Sequence, residues 1–481
     1  MSKHKHKLAS YQNFIVISLS YCSLTFTDGA LRTILLLHCS TLGFSPLEIA
    51  AMFMLYEFAG VGTNLLGGIL ASQKGLKYTG CLGLILMAIS VTLVAPVQSM
   101  FGTGTQMNSY TSPTNNNASS SSTTTATINN DNNLVAGSLK SEAMASVRLN
   151  YMIYIFFVQG LAGVGKDLMK ISGKSITKLV NKKGDNGALF KMVVYVTGAK
   201  NTIKGIGTFM GGVVLLMGYW QGCLFLSIFV LVPLPFMLLK VDTNLGVTTT
   251  TTTSPSTSTS TSTSTSAAPP SFRDAFTDIS YNVGLLSGAR FWLFGARDVW
   301  FEIAFPIFLK EIVGWSDSFV SAAMGVYIII YGLLQGYSPR LCLHPMGCRP
   351  PQSKHVAPWT LFLAFLCGSA GFLYLYIHGV ATTTSSLSFN ISKNEDLWWK
   401  ISIATPIVSI LFAIVMAVLS STHSYLIVLY AGRNKVAKDV GFYYMSNAGG
   451  RLIGTLVSGL LCEYTSQTWG KYSKRRRACI A

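Results

Sequence analysis

Four basic residues lie inside long apolar segments of this chain, where they could bind an anion. Lys200 and Lys204 are four residues apart, which puts both on one face of a helix. Arg290 and Arg297 are seven apart and share a face of a later segment. A charged group inside a bilayer is costly, so it persists where it faces a water-filled cavity or a partner, or where it reaches an interface. The spacing therefore predicts cations that face a common cavity.

The composition indicates an integral membrane protein. Half of the 481 residues are hydrophobic and 11% are charged, whereas soluble domains carry roughly 25% charged residues. The mean hydropathy is +0.45, and the apolar stretches are roughly 20 residues long, the length that crosses a hydrocarbon core. The formal net charge is +18, but most basic residues lie in short connections between apolar stretches. We therefore attribute this charge to membrane topology and expect no binding of nucleic acid.

Eleven membrane spans are predicted, and their connections alternate in charge. The basic connections and the basic start MSKHKHK fall on one side, which the positive-inside rule identifies as the cytoplasm. Two Asn-x-Ser/Thr sequons, at Asn117 and Asn390, then fall on the outer side as candidate glycosylation sites. The predicted spans are residues 12–38, 47–71, 79–99, 148–169, 190–217, 219–239, 280–310, 318–338, 357–379, 400–429 and 441–462.

Two low-complexity segments divide the predicted bundle. Residues from about 101 to 146 are rich in Asn, Ser and Thr and predict a disordered extracellular insert, and residues 243–274 form a Thr/Ser-rich cytoplasmic linker. The linker separates an N-terminal half-bundle, residues 1–242 with spans one to six, from a C-terminal half-bundle, residues 275–462 with spans seven to eleven. A basic tail follows at 463–481.

A short internal repeat favours two related halves. The string KGIGT at 204–208 in the fifth span resembles RLIGT at 451–455 in the eleventh. Chance is the alternative explanation, because glycine-rich apolar helices often share short strings. Two parallel repeats of six spans are typical of transporters that hold their substrate near the midplane, between the halves.

Charges inside the spans are distributed as such a cavity requires. Spans three, six and nine have almost none, as expected where the third helix of each triplet faces lipid. Snorkelling from helix ends is the alternative, and it is the favoured interpretation for Lys170 and Lys174, at the cytoplasmic end of the fourth span. The predicted substrate-binding residues are Arg32, Lys166, Lys200, Lys204, Arg290, Arg297 and Arg451.

Acidic residues in the spans are candidates for proton coupling. Glu57 is the first candidate, because it lies near midspan with no cation nearby on its own helix; Asp28, Asp298 and Asp167 follow. Two structural alternatives remain open. Asp28 and Arg32, four residues apart, could neutralise each other, and Glu57 could pair with a lysine of another helix. The nine cysteines have no metal-ligand spacing, so we expect neither a metal site nor a cofactor.

Six blocks of the sequence resemble the organoarsenical-efflux permeases of the major facilitator superfamily, the ArsJ type. The resemblance covers nearly the whole chain apart from the two inserts and the tail, and it includes the charges inside the spans. The blocks are TDGALR (27–32), LGFSPLEIAAMFMLYEFAGVGTNLLGG (42–68), GVGKDLMKISGKS (163–175), TGAKNTIKGIG (197–207), ARFWLFGARDVWF (289–301) and SNAGGRLIGTLVSGLL (446–461).

The resemblance implies a fold and a function. The fold would be that of an all-α polytopic membrane protein of the major facilitator superfamily, with two half-bundles of six helices. The function would be secondary active transport rather than catalysis. The solute would be 1-arseno-3-phosphoglycerate, which glyceraldehyde-3-phosphate dehydrogenase makes with arsenate, and its export would give arsenate resistance. We expect a monomer in the plasma membrane or the vacuolar membrane, contacting the lipid bilayer and this small anion. The alternatives are an organic-phosphate or carboxylate antiporter and a non-transporting relative.

Two features depart from the family's pattern. The superfamily's loop signature, Gly-x-x-x-Asp-Arg-x-Gly-Arg-Lys, appears as GILASQKGLK at 68–77, without the acidic and arginine positions. After Leu461 the chain continues as a polar, basic segment that cannot span a membrane, so the family's twelfth helix is expected to be missing. That helix would face lipid, and the cavity residues are expected to remain.

Overall fold

The computed structural model describes most of both predicted half-bundles. The sequon residues Asn117 and Asn390 lie outside the described residues, as do 101–128 of the predicted insert and 248–274 of the predicted linker. The described residues are 2–97, 129–181, 184–247, 279–301, 303–312, 314–340, 347, 350–369, 395–432 and 435–478.

Helices make up nearly all of this described chain, and it contains no strand. Before the linker come α1 (Ser2–Thr41), α2 (Pro46–Val94), α3 (Asn129–Val180), α4 (Asn186–Leu216), α5 (Tyr219–Leu231) and a short helix, Leu234–Lys240. After it come α6 (Tyr281–Phe301), a turn of helix at Ala304–Ile307 with a π-helix at Phe308–Ile312, and α7 (Asp317–Ser338). The chain continues with a 3-10 turn at Ser353–His355, α8 (356–369), α9 (Glu395–Tyr430) and α10 (Val436–Ala478).

Helix α2 combines the second and third predicted spans and is interrupted between them. Gly75 has φ 87° and ψ 165°, a left-handed φ that favours glycine. A Cβ at this position would lie 2.7 Å from the carbonyl oxygen of Thr243, and the Leu76 amide donates to the Leu245 carbonyl over 2.8 Å. The first residues of the predicted linker therefore pack against the break in α2.

The beginning of α2 is fixed by its capping residues. Ser45 and Glu48 form a capping box, in which each side chain accepts from the other residue's backbone amide. Arg148 of α3 donates to both carboxylate oxygens of Glu48, over 2.6 and 2.9 Å, and its guanidinium lies 4.4 Å from the Phe44 ring centroid. This paired contact fixes the start of α2 against α3.

Two helices extend beyond the predicted spans. α3 begins at Asn129, inside the segment predicted to be disordered, and α10 continues through the predicted tail to Ala478. Both extensions contain residues with favourable helix propensity, such as Leu, Ala, Lys and Glu in the first and Lys and Arg in the second. Local propensity therefore extends these helices past the apolar stretches that defined the predicted spans.

The two halves meet mainly along two pairs of helices, α2 with α10 and α4 with α7. Glycines bring the backbones together, as small residues commonly do in membrane helix pairs. A Cβ at Gly68 would lie 2.6 Å from the Ala437 carbonyl oxygen, and one at Gly205 would lie 2.6 Å from the Ile329 nitrogen. These two pairs form the side walls of the space between the halves.

The distribution of polarity is that of a membrane protein. Large apolar side chains lie on the outside, with Leu216 83% exposed and Trp292 74% exposed, whereas Glu57 and Asp298 are buried. Six helices of the described chain are long and apolar enough to cross a membrane, judged by length and composition. The predicted class, an all-α polytopic membrane protein, is confirmed.

Candidate functional site

A cavity of about 230 Å³ lies between the two halves. Helices α1, α3 and α4 line it from one side, and α6, α7, α9 and α10 line it from the other. Nine lining residues are Lys or Arg, whereas Asp28 is the single carboxylic acid among them. The cations are Arg32, Lys166, Lys170, Lys174, Lys200, Lys204, Arg290, Arg297 and Arg451.

Seven charged side chains form a continuous row across the molecule, which we call the charge ladder. Its members, in spatial order, are Lys204, Asp28, Arg32, Glu57, Arg451, Asp298 and Arg297. On the N-terminal side, Asp28 lies 3.6 Å from Lys204 and 3.8 Å from Arg32 and accepts a hydrogen bond from the Tyr56 hydroxyl. The guanidinium of Arg32 also lies 4.2 Å from the Tyr56 ring centroid. Cations of the cavity wall are thereby held between a carboxylate and an aromatic face.

The charge ladder crosses from one half to the other at Glu57. Arg32 donates to Glu57 over 2.7 Å from α1, and Arg451 lies 3.1 Å from the same carboxylate oxygen from α10. Arg451 also contacts Asp298 at 2.6 Å, and Asp298 contacts Arg297 at 2.5 Å. Glu57 therefore does have cationic partners from other helices, as the structural alternative predicted, but they are arginines rather than a lysine.

A separate cluster surrounds Asp167 on α3. Lys170 lies 2.5 Å from its carboxylate and Lys166 lies 3.9 Å away. The ammonium of Lys166 is 3.7 Å from the Tyr56 ring centroid, and that of Lys170 is 4.6 Å from the Tyr444 ring centroid on α10. Asp167 thus compensates part of the positive charge that α3 presents to the cavity.

Three cavity cations, Lys174, Lys200 and Arg290, are not paired with a carboxylate anywhere in the described chain. We call them the unpaired trio. Lys174 is 2% exposed and donates to the Thr197 hydroxyl. Lys200 lies 5.9 Å from the Tyr21 ring centroid. Positive charge is thereby concentrated, without compensation, at one part of the cavity wall.

A chain of hydrogen-bonded polar side chains crosses the interface from α4 to Arg290. Asn201, next to Lys200, donates to Gln335 of α7, whose amide donates to the Ser420 hydroxyl over 3.2 Å. Arg290 donates to the same hydroxyl over 3.3 Å and to Asn447 over 3.0 Å. Its guanidinium stacks on Phe294, 3.6 Å from the ring centroid. Arg290 is therefore held in place by neutral groups. Because no carboxylate of the described chain pairs with it, its positive charge is available to bind a ligand.

All seven residues predicted to bind substrate line the cavity. Glu57, Asp167 and Asp298, candidates for proton coupling, contact cations of the cavity wall, and Asp28 lines it directly. The roles predicted for these residues stay predictions. Asp28 and Arg32 lie 3.8 Å apart, as the structural alternative predicted. Asp28 also lies 3.6 Å from Lys204, and Arg32 donates to Glu57 over 2.7 Å.

Lys170 and Lys174, interpreted as snorkelling residues, line the cavity instead. The spacing of these lysines in the sequence does indicate that they face the cavity. Lys166, Lys170 and Lys174 recur at intervals of four residues, so they share one helix face with a residue already assigned to the site. Among the described residues, no group of three His, Cys, Asp or Glu side chains could hold a metal ion.

The sequence matches no family profile and no curated protein. Solved structures are similar to it in fold. One is a bacterial homologue of the iron transporter ferroportin in an outward-facing state, at 10% identity with a TM-score of 0.53, covering 96% of this chain and 99% of the other. Another is the human organic anion transporter MFSD10 (TETRAN), at 13% identity with a TM-score of 0.52, covering 94% and 93%.

A third similar structure is the proton:xylose symporter XylE bound to 6-bromo-6-deoxy-D-glucose, which belongs to the major facilitator superfamily. It is 12% identical with a TM-score of 0.56, covering 96% of this chain and 90% of the other. These likenesses extend over nearly the whole length of each chain. The protein therefore has the fold of the major facilitator superfamily, the fold that the sequence resemblance implied.

Proposed function

We propose that this protein is a secondary active transporter for an organic anion that carries phosphate-like groups. The observation that carries the proposal is the cavity between the halves, with nine Lys or Arg side chains and one carboxylic acid in its lining. Arginine holds phosphate or carboxylate through a planar fork, and lysine adds a mobile point charge. A neutral solute needs no such excess, and a metal cation would be repelled by it.

The position of the cavity suits a carrier rather than an enzyme. It lies between two half-bundles that meet mainly along their side walls, as in transporters that alternate access around a central site. The names of the similar structures describe an iron transporter, an organic anion transporter and a xylose symporter. Of these three kinds of solute, an organic anion is the one that a cation-lined cavity favours.

Within this class, we assign 1-arseno-3-phosphoglycerate as the solute on the strength of the sequence resemblance. This anion carries a phosphate, an arsenate and a hydroxyl group. Two separated anionic groups suit a cavity with cations on both halves, and the neutral side chains of Asn201, Gln335 and Ser420 suit a hydroxyl. Its export by a monomer in the plasma membrane or vacuolar membrane would give arsenate resistance. Another phosphate ester or a carboxylate is the alternative solute.

Proton coupling is assigned to the buried carboxylates Glu57, Asp28, Asp167 and Asp298. Each contacts at least one cavity cation in the structure. Protonation of Glu57 would remove the charge that Arg32 and Arg451 share, and both guanidiniums would become available to a substrate. Because Glu57 and Arg451 lie on different halves, the same event would also loosen the interface.

The proposal is tested by uptake into everted membrane vesicles. Glyceraldehyde-3-phosphate dehydrogenase, glyceraldehyde 3-phosphate, NAD⁺ and arsenate generate the solute outside the vesicles, and the arsenic accumulated inside is measured by elemental mass spectrometry. We expect dehydrogenase-dependent accumulation by the wild type. Lys204→Ala and Arg297→Ala should each reduce it at least tenfold, since a lost charged hydrogen bond costs about 1.5–3 kcal/mol.

Lys191→Ala serves as the matched control, because Lys191 lies on α4 like Lys204 but is exposed. It should accumulate arsenic like the wild type. Accumulation of 3-phosphoglycerate without the arsenical would contradict the choice of solute. Absence of uptake for every phosphate ester and carboxylate offered would contradict the function itself.

A further inference from the structure

The unpaired trio is the part of the cavity whose charge the protein itself leaves uncompensated. Lys174 and Arg290 are 2% and 5% exposed, and Lys200 lines the same cavity. Burying like charges without counter-charges is strongly unfavourable. An anion bound at this position would compensate these charges while the cavity is closed.

The trio has free hydrogen-bonding capacity as well as charge. An ammonium carries three donors and a guanidinium five. Among the described residues, Lys174 uses one donor on the Thr197 hydroxyl, Arg290 uses two on Ser420 and Asn447, and Lys200 uses none. The remaining donors match a small ligand with several acceptor oxygens.

The three residues come from helices that the fold brings together around one part of the cavity. Thr197, which accepts from Lys174, lies one helical turn before Lys200. Asn201, beside Lys200, reaches Arg290 through Gln335 and Ser420. Lys174 and Lys200 belong to the N-terminal half and Arg290 to the C-terminal half, so a ligand held by all three would connect the halves.

We propose that Lys174, Lys200 and Arg290 form a subsite for a free tetrahedral oxyanion, inorganic phosphate or arsenate. The carrier returns through its closed state with this oxyanion bound, so it exchanges one anion for another. The inference rests on the proposed function, since the same subsite would hold one anionic group of the exported solute. An empty carrier would have to close around three unpaired cations, and it turns over slowly.

The test uses purified full-length protein in proteoliposomes loaded with phosphate, with arsenate, with sulfate or with an inert buffer anion. Uptake of radiolabelled phosphate and uptake of the enzymatically generated arsenical are measured separately. We expect both to be at least tenfold faster with internal phosphate or arsenate than with the inert anion. The phosphate and arsenate arms show which oxyanion the subsite accepts, and the sulfate arm shows whether any tetrahedral dianion suffices.

Variants connect the exchange to the subsite. Lys200→Met and Lys174→Met should each lower phosphate exchange at least tenfold, Lys200→Arg should retain most of it, and the exposed Lys191→Met should leave it unchanged. Equilibrium dialysis of labelled phosphate against the purified variants gives a second measurement that does not need transport. Loss of phosphate binding in Lys200→Met, with binding kept in Lys191→Met, supports the subsite.

The outcomes separate this inference from the proposed function. Equal arsenical uptake with and without an internal oxyanion would overturn the exchange and leave the proposed function intact. Phosphate exchange without any movement of the arsenical or another organic anion would overturn the proposed function and leave the subsite intact. Phosphate binding that is unaffected by Lys200→Met and Lys174→Met would overturn the subsite.

Discussion

Glu57 shows at the scale of one residue how the cavity handles its charges. Its carboxylate is 3% exposed and contacts Arg32 and Arg451, from two different helices and both halves of the molecule. A buried ion pair adds little net stability, but removing one partner leaves an unpaired charge in a poorly solvated site. Glu57 is therefore needed to keep two arginines in the cavity wall.

Replacing the Glu57 carboxylate tests these contacts. Glu57→Gln should lower the free energy of unfolding by about 3 kcal/mol, because Arg32 and Arg451 lose the charge that they share. The double variant Glu57→Gln with Arg451→Gln should lose less unfolding free energy than the sum of the two single variants. The second change removes one of the two cations that are left without a counter-charge. The measurement is denaturant unfolding of the purified protein in detergent.

Glu48→Gln is the matched control for this prediction. Glu48 also pairs with an arginine, Arg148, but both side chains are more than a quarter exposed, so the loss should stay near 1 kcal/mol or below. If Glu48→Gln and Glu57→Gln lowered the free energy of unfolding equally, burial of the ion pair would not be the reason for the effect.

The packing of α4 against α7 shows what decides function at the scale of an element. A Cβ at Gly205 would lie 2.6 Å from the Ile329 nitrogen, and Gly198 lies directly against Gly336. Backbones this close leave no space for a side chain, and they hold Asn201, next to Lys200 in the sequence, beside Gln335 of the other half. The glycine spacing of both helices therefore positions part of the site.

A substitution on α4 tests this packing. Gly205→Ala should destabilise the protein by about 1–3 kcal/mol, because overpacking forces the backbones apart, and it should also reduce transport. At Gly62 of α2 an added Cβ would meet nothing within 4 Å, so Gly62→Ala should be neutral or stabilising by up to about 1 kcal/mol through helix propensity. Thermal unfolding in detergent compares the two. If Gly205→Ala and Gly62→Ala changed the stability of the protein in the same direction, close packing would not be the cause.

Lys178 connects the two halves at the scale of the whole molecule. Its ammonium donates to the carbonyl oxygens of Val428, Leu429 and Ala431, over 2.5, 3.0 and 2.9 Å. These carbonyls lie at and just beyond the C-terminal end of α9, where helical carbonyls lack intrahelical partners and the helix dipole favours a cation. The contact joins α3 of the N-terminal half to the end of α9 of the C-terminal half, at the predicted cytoplasmic end.

Removing this contact should favour conformations that are open to the cytoplasm. For Lys178→Met, a loss of about 1.5 kcal/mol would shift the equilibrium roughly tenfold. The measurement is the labelling rate of Ser424→Cys, a cavity position, by a membrane-impermeant thiol reagent in everted vesicles, with the native cysteines replaced. Lys191→Met, an exposed change on the neighbouring helix α4, is the control. Unchanged labelling in Lys178→Met would show that the contact does not hold the cytoplasmic end closed.

Local features of the sequence predict the class of protein and the helices that carry charge. Apolar length, the charge of the connections and the resemblance predicted an all-α membrane protein with the fold of the major facilitator superfamily, which is confirmed. Periodicity along one helix also grouped residues such as Lys200 and Lys204. These inferences succeed because hydrophobic length and helical period are properties of the local chain.

Which charges contact one another depends on the folded arrangement of the helices. Glu57 contacts Arg451, far away in the sequence, and Lys174 lines the cavity instead of snorkelling to an interface. The difference between a paired cation such as Arg451 and an unpaired one such as Lys200 depends on carboxylates from other helices. Because the two halves and the faces of their helices come together only on folding, the spacing of residues could predict cations near a cavity, but the fold determined which of them are left for an anion.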